Sequence, residues 1–249
     1  KFGSSSAIEP HGAIVWFHED NTIDVWSSSI CPAIIQDDLA RTYGIPAGNV
    51  RVRIPEIGGC FGYKSDVTIE QTVAYIASHV KGYPVKWVAS RKEDYTSTLI
   101  GHGVRIRMKI GAKKDGTLVF IRSQVFHSTG AYADTGVNIT MAATHTLGVY
   151  EFPVVFCEGY TVYTNTPPVG AYRGYGYQYA HFAIERLMDM LARKLDMDIF
   201  ELREKNFLKK NKKFGTGETY TEDYGDIEKC TNAIKEIIFN KEKPKEDEN

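Results

Sequence analysis

Residues 56–66 read "EIGGCFGYKSD", with Gly58, Gly59 and Gly62 placed around the single Phe61. Before this stretch "NVRVRIPEI" alternates apolar and polar residues as a strand does. After it "VTIEQTVAYIASHVKG" carries apolar residues at helical spacing and closes at Gly82. The stretch is therefore a strand-to-helix turn built of bare backbone. Glycine admits positive φ and lets a neighbouring group approach the main chain, and a helix start presents unpaired N–H donors. Such a turn can grip an anionic or oxo-bearing group.

A second turn of the same kind follows the strand-like "GYTVYTN". Pro167, Pro168 and Gly170 lead into "AYRGYGYQY" and then into a long helix, for which Phe182, Leu187, Met190, Leu191 and Leu195 are expected to form the apolar stripe. Neither turn matches GxGxxG or GxxxxGK[ST], so a phosphate loop for a nucleotide is the weakest reading. Tight turns that merely join packed elements remain an alternative to a ligand cradle.

Working outward, "GAIVWF" and "NTIDVWSS" around "HEDN" predict a hairpin. "CPAIIQDDLARTYGIP" predicts a helix with Ile34, Ile35, Leu39 and Tyr43 on its spacing, and "PVKWVAS" predicts a strand. "GVRIRMKIGAKKDGTLVFIRSQVFHSTGAY" predicts a second, longer hairpin about Lys-Asp-Gly. Its alternation sets Arg105, Arg107 and Lys109 on one face, read as solvated. The pattern has no regular βαβ rhythm. The expected class is α+β, two similar lobes of mixed or antiparallel sheet with helices packed on one side. The lobes are expected at about 1–100 and 101–240, with 241–249 a charged tail or linker.

The chain has 249 residues, 43% of them hydrophobic, and 30 basic against 31 acidic residues for a net charge of -1. That length supports a real core, and the charge gives no case for nucleic acid or an anionic membrane. No apolar run approaches a transmembrane span, no leader is read, and Lys1 is expected to be an excised boundary or processed end. Cys31, Cys60, Cys157 and Cys230 show no CxxC spacing, which argues against a local zinc or iron-sulfur site and for reduced thiols in a cytoplasmic protein. The seven histidines show no ligand spacing either, so a metal held directly by protein side chains is not expected.

"GGCFGYK" and "AYRGYG" resemble the GGGFGGK and A[FY]RGFG segments of the molybdenum-binding subunits of the xanthine dehydrogenase, aldehyde oxidoreductase and carbon monoxide dehydrogenase family. "IEPHGAIVWF", "LARTYGIPAGNVRV", "DGTLVFIRSQVFHSTGAYAD" and "FAIERLMDMLARKLDMDIFELREKNFLKK" extend the similarity from about residue 7 to 210, in family order. The resemblance implies a first molybdopterin-binding domain, covering residues 1–240, of a molybdenum oxidoreductase. Such an enzyme oxidises an aldehyde or hydroxylates an aromatic heterocycle with oxygen from water. The implied cofactor is molybdopterin with molybdenum, in some members as the cytosine dinucleotide. Gly59, Cys60, Phe61 and Gly62 would form one cofactor loop, and Ala171, Tyr172, Arg173 and Gly174 the other. Phe61 and Tyr175 would wall the substrate channel. Arg173 is the residue with most to offer, since a guanidinium can donate bidentately to oxygens and stays charged.

The same resemblance places [2Fe-2S] clusters and FAD on partner domains or subunits, and the general-base glutamate in a second molybdenum-binding half absent from this chain. No catalytic residue is assigned here, and the isolated chain is expected to be inactive. Homodimerisation is also open. Glu56 and Glu185 could be offered as substitute bases, but Glu185 reads as an ordinary exposed helix position.

Four positions depart from the family pattern. Ile30 replaces a glutamine, Ser65 a glutamate and Gly101 an arginine, while Gln178 comes one position before the usual glutamine, whose place Tyr179 takes. Loss of the glutamate and arginine points away from a purine pocket, which needs polar partners for ring groups. Loss of the amides leaves open a scaffold or interaction domain that has kept the fold without the cofactor.

Overall fold

A computed structural model of the chain describes residues 3, 5–133, 135–214, 217–221 and 224–241. The chain packs as two compact units that interleave in sequence. The first is Lys1–Arg105, Val125–Ala143 and Gly159–Gln178; the second is Ile106–Gln124, Thr144–Glu158 and Tyr179–Asn249. The sequence alone suggests a single boundary near residue 100. The interleaving arises because three long strands, β5 Gly103–Ala112, β6 Leu118–Gly130 and β7 Val154–Tyr163, each contribute residues to both units.

In the first unit, β1 Gly12–Phe17 and β2 Ile23–Ser27 form the predicted hairpin, with Val15 opposite Val25. β4 Pro84–Val88 pairs antiparallel with β1, and β3 Val50–Arg53 pairs parallel with β2, giving the order β3-β2-β1-β4. Alternation in β1 buries Ala13, Val15 and Phe17, on which α1 Pro32–Tyr43 and α2 Ile69–His79 pack. Their contributions are Ile35, Leu39, Ala40, Val73, Ala74 and Ala77. A fully buried aliphatic side chain of this kind is worth ~1.5–3 kcal/mol, so this layer is the main source of stability in the unit. Ile34 is a correction: it is 48% exposed, one position off the buried stripe set by Ile35 and Leu39. Gly44 ends α1 in the left-handed conformation, φ 63°, as its sequence position predicts.

Of the helices before residue 150, two escape the sequence reading. α3 Arg91–Ser97 starts at a capping box, in which Ser90 accepts from the Glu93 N–H and the Glu93 carboxylate accepts from the Ser90 N–H. α4 Gly136–His145 is rich in β-branched and small residues, which weakens its helical signature.

The second unit is built on its share of a sheet ordered β5-β6-β7, joined by the predicted turn in which the Gly116 N–H bonds the Lys113 carbonyl. α5 Tyr177–Leu195 and α6 Ile199–Asn206 supply Ile184, Met188, Ala192 and Leu202, which pack with Leu118, Ile121 and Phe207; α7 Ile227–Lys241 adds Ile227 at the margin. The expected α5 stripe was rotated. Phe182 and Met190 are exposed, and the buried row is Ala180, Ile184, Met188 and Ala192, spaced by four, with Leu191 and Leu195 packed at its edge. Among the described residues, no helix is long and apolar enough to cross a membrane. Residues 242–249 of the expected tail lie outside the described residues, and Lys241 belongs to α7.

The architecture is thus α+β with two sheets and, among the described residues, seven α-helices. Both glycine turns fall in the first unit.

Candidate functional site

The first turn lies between β3 and α2. Gly59 and Gly62 take φ of 106° and 108°, and Phe61 is held at 55°, a left-handed conformation that a bulky residue adopts only when its surroundings impose it. Phe61 is 50% exposed, so its ring stands out of the turn and is not core. The Cys60 thiol faces back and accepts a hydrogen bond from the Gly62 N–H at 3.4 Å.

Behind the turn sits a buried polar network. Lys64 is completely buried, and its Nζ lies 2.7 Å from Glu9 Oε2, which also accepts from the Gly58 N–H at 2.9 Å. The Tyr63 hydroxyl reaches the Glu9 carbonyl and Asp94 Oδ2 at 3.2 and 3.3 Å, and burial followed by the Asp94 charge pushes the phenol pKa far up. Asp94 also accepts from the His11 N–H and the Arg91 guanidinium. Beside it, His11 Nε2 lies 2.9 Å from Glu70 Oε1, with both side chains fully buried. Burial raises the Glu70 carboxyl, but the bonds from His11 and Ser27 outweigh it and hold it below the usual range. Isolated charges could not sit here; each is hydrogen-bonded to an opposite charge or a polar group.

The second turn lies ahead of α5. Gly174 and Gly176 take φ of 96° and 101°, and Tyr175 is held at 46°, the counterpart of Phe61. Its base is tied by neutral groups. Ile100 pairs with Val169, the His102 ring nitrogen Nε2 lies 2.9 Å from the Gly170 carbonyl, and the Gly176 N–H donates to Gln178 Oε1 at 3.1 Å. His102 stands edge-on to His127, with ring centroids 5.2 Å apart. Burial lowers both imidazoles, His127 to about 4 with help from the neighbouring His102, and neither His127 ring nitrogen has a partner. Both rings are therefore neutral at pH 7.

The two turns meet. A Cβ on Gly62 would stand 2.7 Å from the carbonyl carbon and oxygen of Ala171, so only glycine lets the backbones approach this closely. The two loops assigned to the cofactor from sequence, Gly59–Gly62 and Ala171–Gly174, thereby touch at Gly62 and Ala171. Arg173 is exposed there and makes no hydrogen bond or ion pair with any described residue. Two bare turns with an unpaired guanidinium fit a bulky, oxygen-rich, anionic group.

The departures also find a place. Ile30, 49% exposed, lies beside the first turn with its N–H on the Lys64 carbonyl, and its side chain offers no donor. Ser65 spends its hydroxyl on the Gly62 carbonyl at 2.6 Å. Gly101 is filled by its neighbours, since a Cβ there would stand 2.9 Å from the Gly3 carbonyl oxygen and 3.3 Å from the Tyr172 ring. Gln178 lies against Gly174, where a Cβ would come within 2.4 Å of its Oε1, and its Nε2 is buried without a partner. Tyr179 lies in the first turn of α5.

Glu56 is exposed ahead of the first turn. Glu185 is partly exposed, as its helix position suggests, but it is engaged: both its oxygens accept from the Tyr150 hydroxyl at 2.8 Å and it pairs with Arg203, so it is a structural carboxylate of the second unit. No group of His, Cys, Asp or Glu among the described residues could hold a metal ion. Sequence reasoning did not find Lys64 or the role of Glu9. Their only signal was the polar "EPH" set at the head of an apolar strand.

Turns, sheets and flanking helices together define a molybdopterin cofactor-binding domain, the description of the family model that matches residues 3–207. The chain belongs to that family, which includes the molybdenum-binding subunits of the xanthine dehydrogenase and carbon monoxide dehydrogenase type. It is 33% identical over 232 residues to the nicotinate dehydrogenase large molybdopterin subunit of Eubacterium barkeri, covering 93% of this chain and 54% of that one. It is 36% identical over 196 residues to a putative xanthine dehydrogenase molybdenum-binding subunit of Escherichia coli, covering 78% of this chain and 26% of the relative. Aldehyde oxidoreductase from Desulfovibrio gigas superposes with a TM-score of 0.88 at 29% identity, over 96% of this chain and 26% of that one. The chain thus spans about half to a quarter of the length of these relatives.

Proposed function

We propose that this chain is the first molybdopterin-binding part of a molybdenum hydroxylase. The observation that carries this reading is the meeting of the two glycine turns at Gly62 and Ala171, with unpaired Arg173 beside them. Arg173 holds an oxygen-bearing group by charge-assisted hydrogen bonds, the backbones of Gly59–Gly62 and Ala171–Gly174 line it, and Phe61 and Tyr175 wall the approach of a planar substrate. When bound, molybdopterin with its molybdenum, in the simple or cytosine dinucleotide form, supplies the oxidative hydroxylation chemistry.

The substrate class follows from what the site lacks. Ser65 is engaged with the turn and Gly101 has no room for a side chain, so neither supplies the polar contacts of a purine pocket. An aldehyde or a simple aromatic heterocycle fits better. The general-base glutamate, the remaining molybdenum-binding half, and the iron-sulfur and flavin groups belong to further domains or subunits, and this chain alone does not turn over.

The test is molybdenum and pterin content of the assembly purified from its native host, with wild-type and Arg173→Ala chains compared. Loss of both on substitution, without loss of fold, supports the cradle. Equal content in the two proteins refutes it, and absence of both from the wild type favours the cofactor-free scaffold.

A further inference from the structure

We propose that Glu9 and Lys64 are positioning residues, a clasp that closes the first glycine turn on itself from behind. The Glu9 carboxylate holds both ends of the turn at one oxygen: Oε2 accepts from the Gly58 N–H at 2.9 Å and from Lys64 Nζ at 2.7 Å. The Glu9 main chain doubles the hold on Gly58, its own N–H donating to the Gly58 carbonyl at 3.2 Å. Contact is so close that a Cβ on Gly58 would lie 2.5 Å from the Glu9 Cβ.

The clasp is itself fixed on both sides. Arg91 Nη2 donates to the Ala7 and Ile8 carbonyls at 2.5 and 2.8 Å, which sets the segment leading to Glu9. The Lys64 carbonyl accepts from the Ser29 hydroxyl and the Ile30 N–H, which sets the other end. Lys64 is fully buried with its Nζ on Glu9 Oε2, so its part is to position the turn and not to contact a ligand. Its charge serves to hold the turn in the conformation that sets Phe61 at positive φ. This inference rests on reading the turns as the molybdopterin cradle for its link to the cofactor, but the clasp can be tested without cofactor.

Apolar replacement of a buried ion pair often restores stability, but it does not restore the carboxylate oxygen that accepts from the Gly58 N–H. In the native assembly, Lys64→Met is compared with the double variant Glu9→Leu, Lys64→Met. Thermal midpoint, amide exchange of the segment 56–65 and pterin content per folded copy are read together. The single variant is expected to lose thermal stability. The double variant is expected to regain most of it, while its segment exchanges at least ~10-fold faster than wild type because the Gly58 N–H has lost its acceptor. Its pterin content stays depressed by a similar factor.

Wild-type exchange in a folded double variant overturns the clasp. Faster exchange with undiminished pterin overturns its link to the cofactor. A wild-type assembly without molybdenum or pterin counts against the cradle reading, and the exchange result still decides the clasp. Should the double variant not fold, Glu9→Asp, one carbon too short to reach both ends, is read the same way.

Discussion

The first glycine turn is backed by buried charge, with Lys64 on Glu9, Tyr63 and Arg91 on Asp94, and His11 on Glu70. The second is backed by neutral groups, with the His102 ring on the Gly170 carbonyl and the Gln178 amide on the Gly176 N–H, and it presents its one charge, Arg173, outward and unpaired. On the proposed reading, the difference divides labour between them. A turn backed by buried ion pairs is set before any ligand arrives, because opening it would strand charges in the protein interior. A turn that keeps its guanidinium unpaired holds its binding energy in reserve for a ligand. Preorganisation sits on one side, and electrostatic attraction on the other.

The contrast breaks most severely where the turns touch. Gly62→Val places a β-branched side chain at φ 108° and against the Ala171 backbone at 2.7 Å. Destabilisation of about 3 kcal/mol or more is expected, read by denaturant unfolding, together with loss of pterin.

Acid separates the two turns next. His127 and His102 are harder to protonate folded than unfolded, so the unfolded chain binds more protons between the ordinary 6.5 and the folded value of about 4 for His127. Stability is therefore complete above about pH 6.5 and falls as the pH drops toward 4, by on the order of 2–3 kcal/mol for His127. His127→Leu, which removes two unpartnered nitrogens, should flatten that limb of the stability profile at little or no loss at pH 7. An unchanged acid limb would show that the pair is not its source.

Arg173→Ala should leave unfolding within ~0.5 kcal/mol of wild type, because the side chain is exposed and unpaired, while the cofactor is lost. Ile30→Gln has the smallest expected effect on folding, again within ~0.5 kcal/mol, since the side chain is half exposed. It would sharpen the account by offering a donor beside the first turn, and slower release of pterin is the expected readout.

Much of this was legible in the residues because it is local. Hairpins with polar turns, a helix ended by Gly44, and two glycine-rich turns leading from strand to helix are all short-range signals. What was missed depends on distant partners or on small side chains. Lys64 looked like part of a motif, and only the fold shows that its ammonium returns to Glu9, 55 residues earlier. Spacing alone points to large residues for the α5 stripe, whereas the small Ala180 and Ala192 share the buried row with Ile184 and Met188. That Glu185 is engaged is not legible, because Tyr150 and Arg203, which engage it, lie 35 and 18 residues away. The Ser90–Glu93 capping box was a local signal that went unread.

The central claim is that the two turns together hold a molybdopterin group. Molybdenum and pterin should be quantified in the intact assembly from its native host, by elemental analysis and pterin release. The account predicts both, near one per copy of this chain. Absence of both, with the partner chains in place, would contradict it.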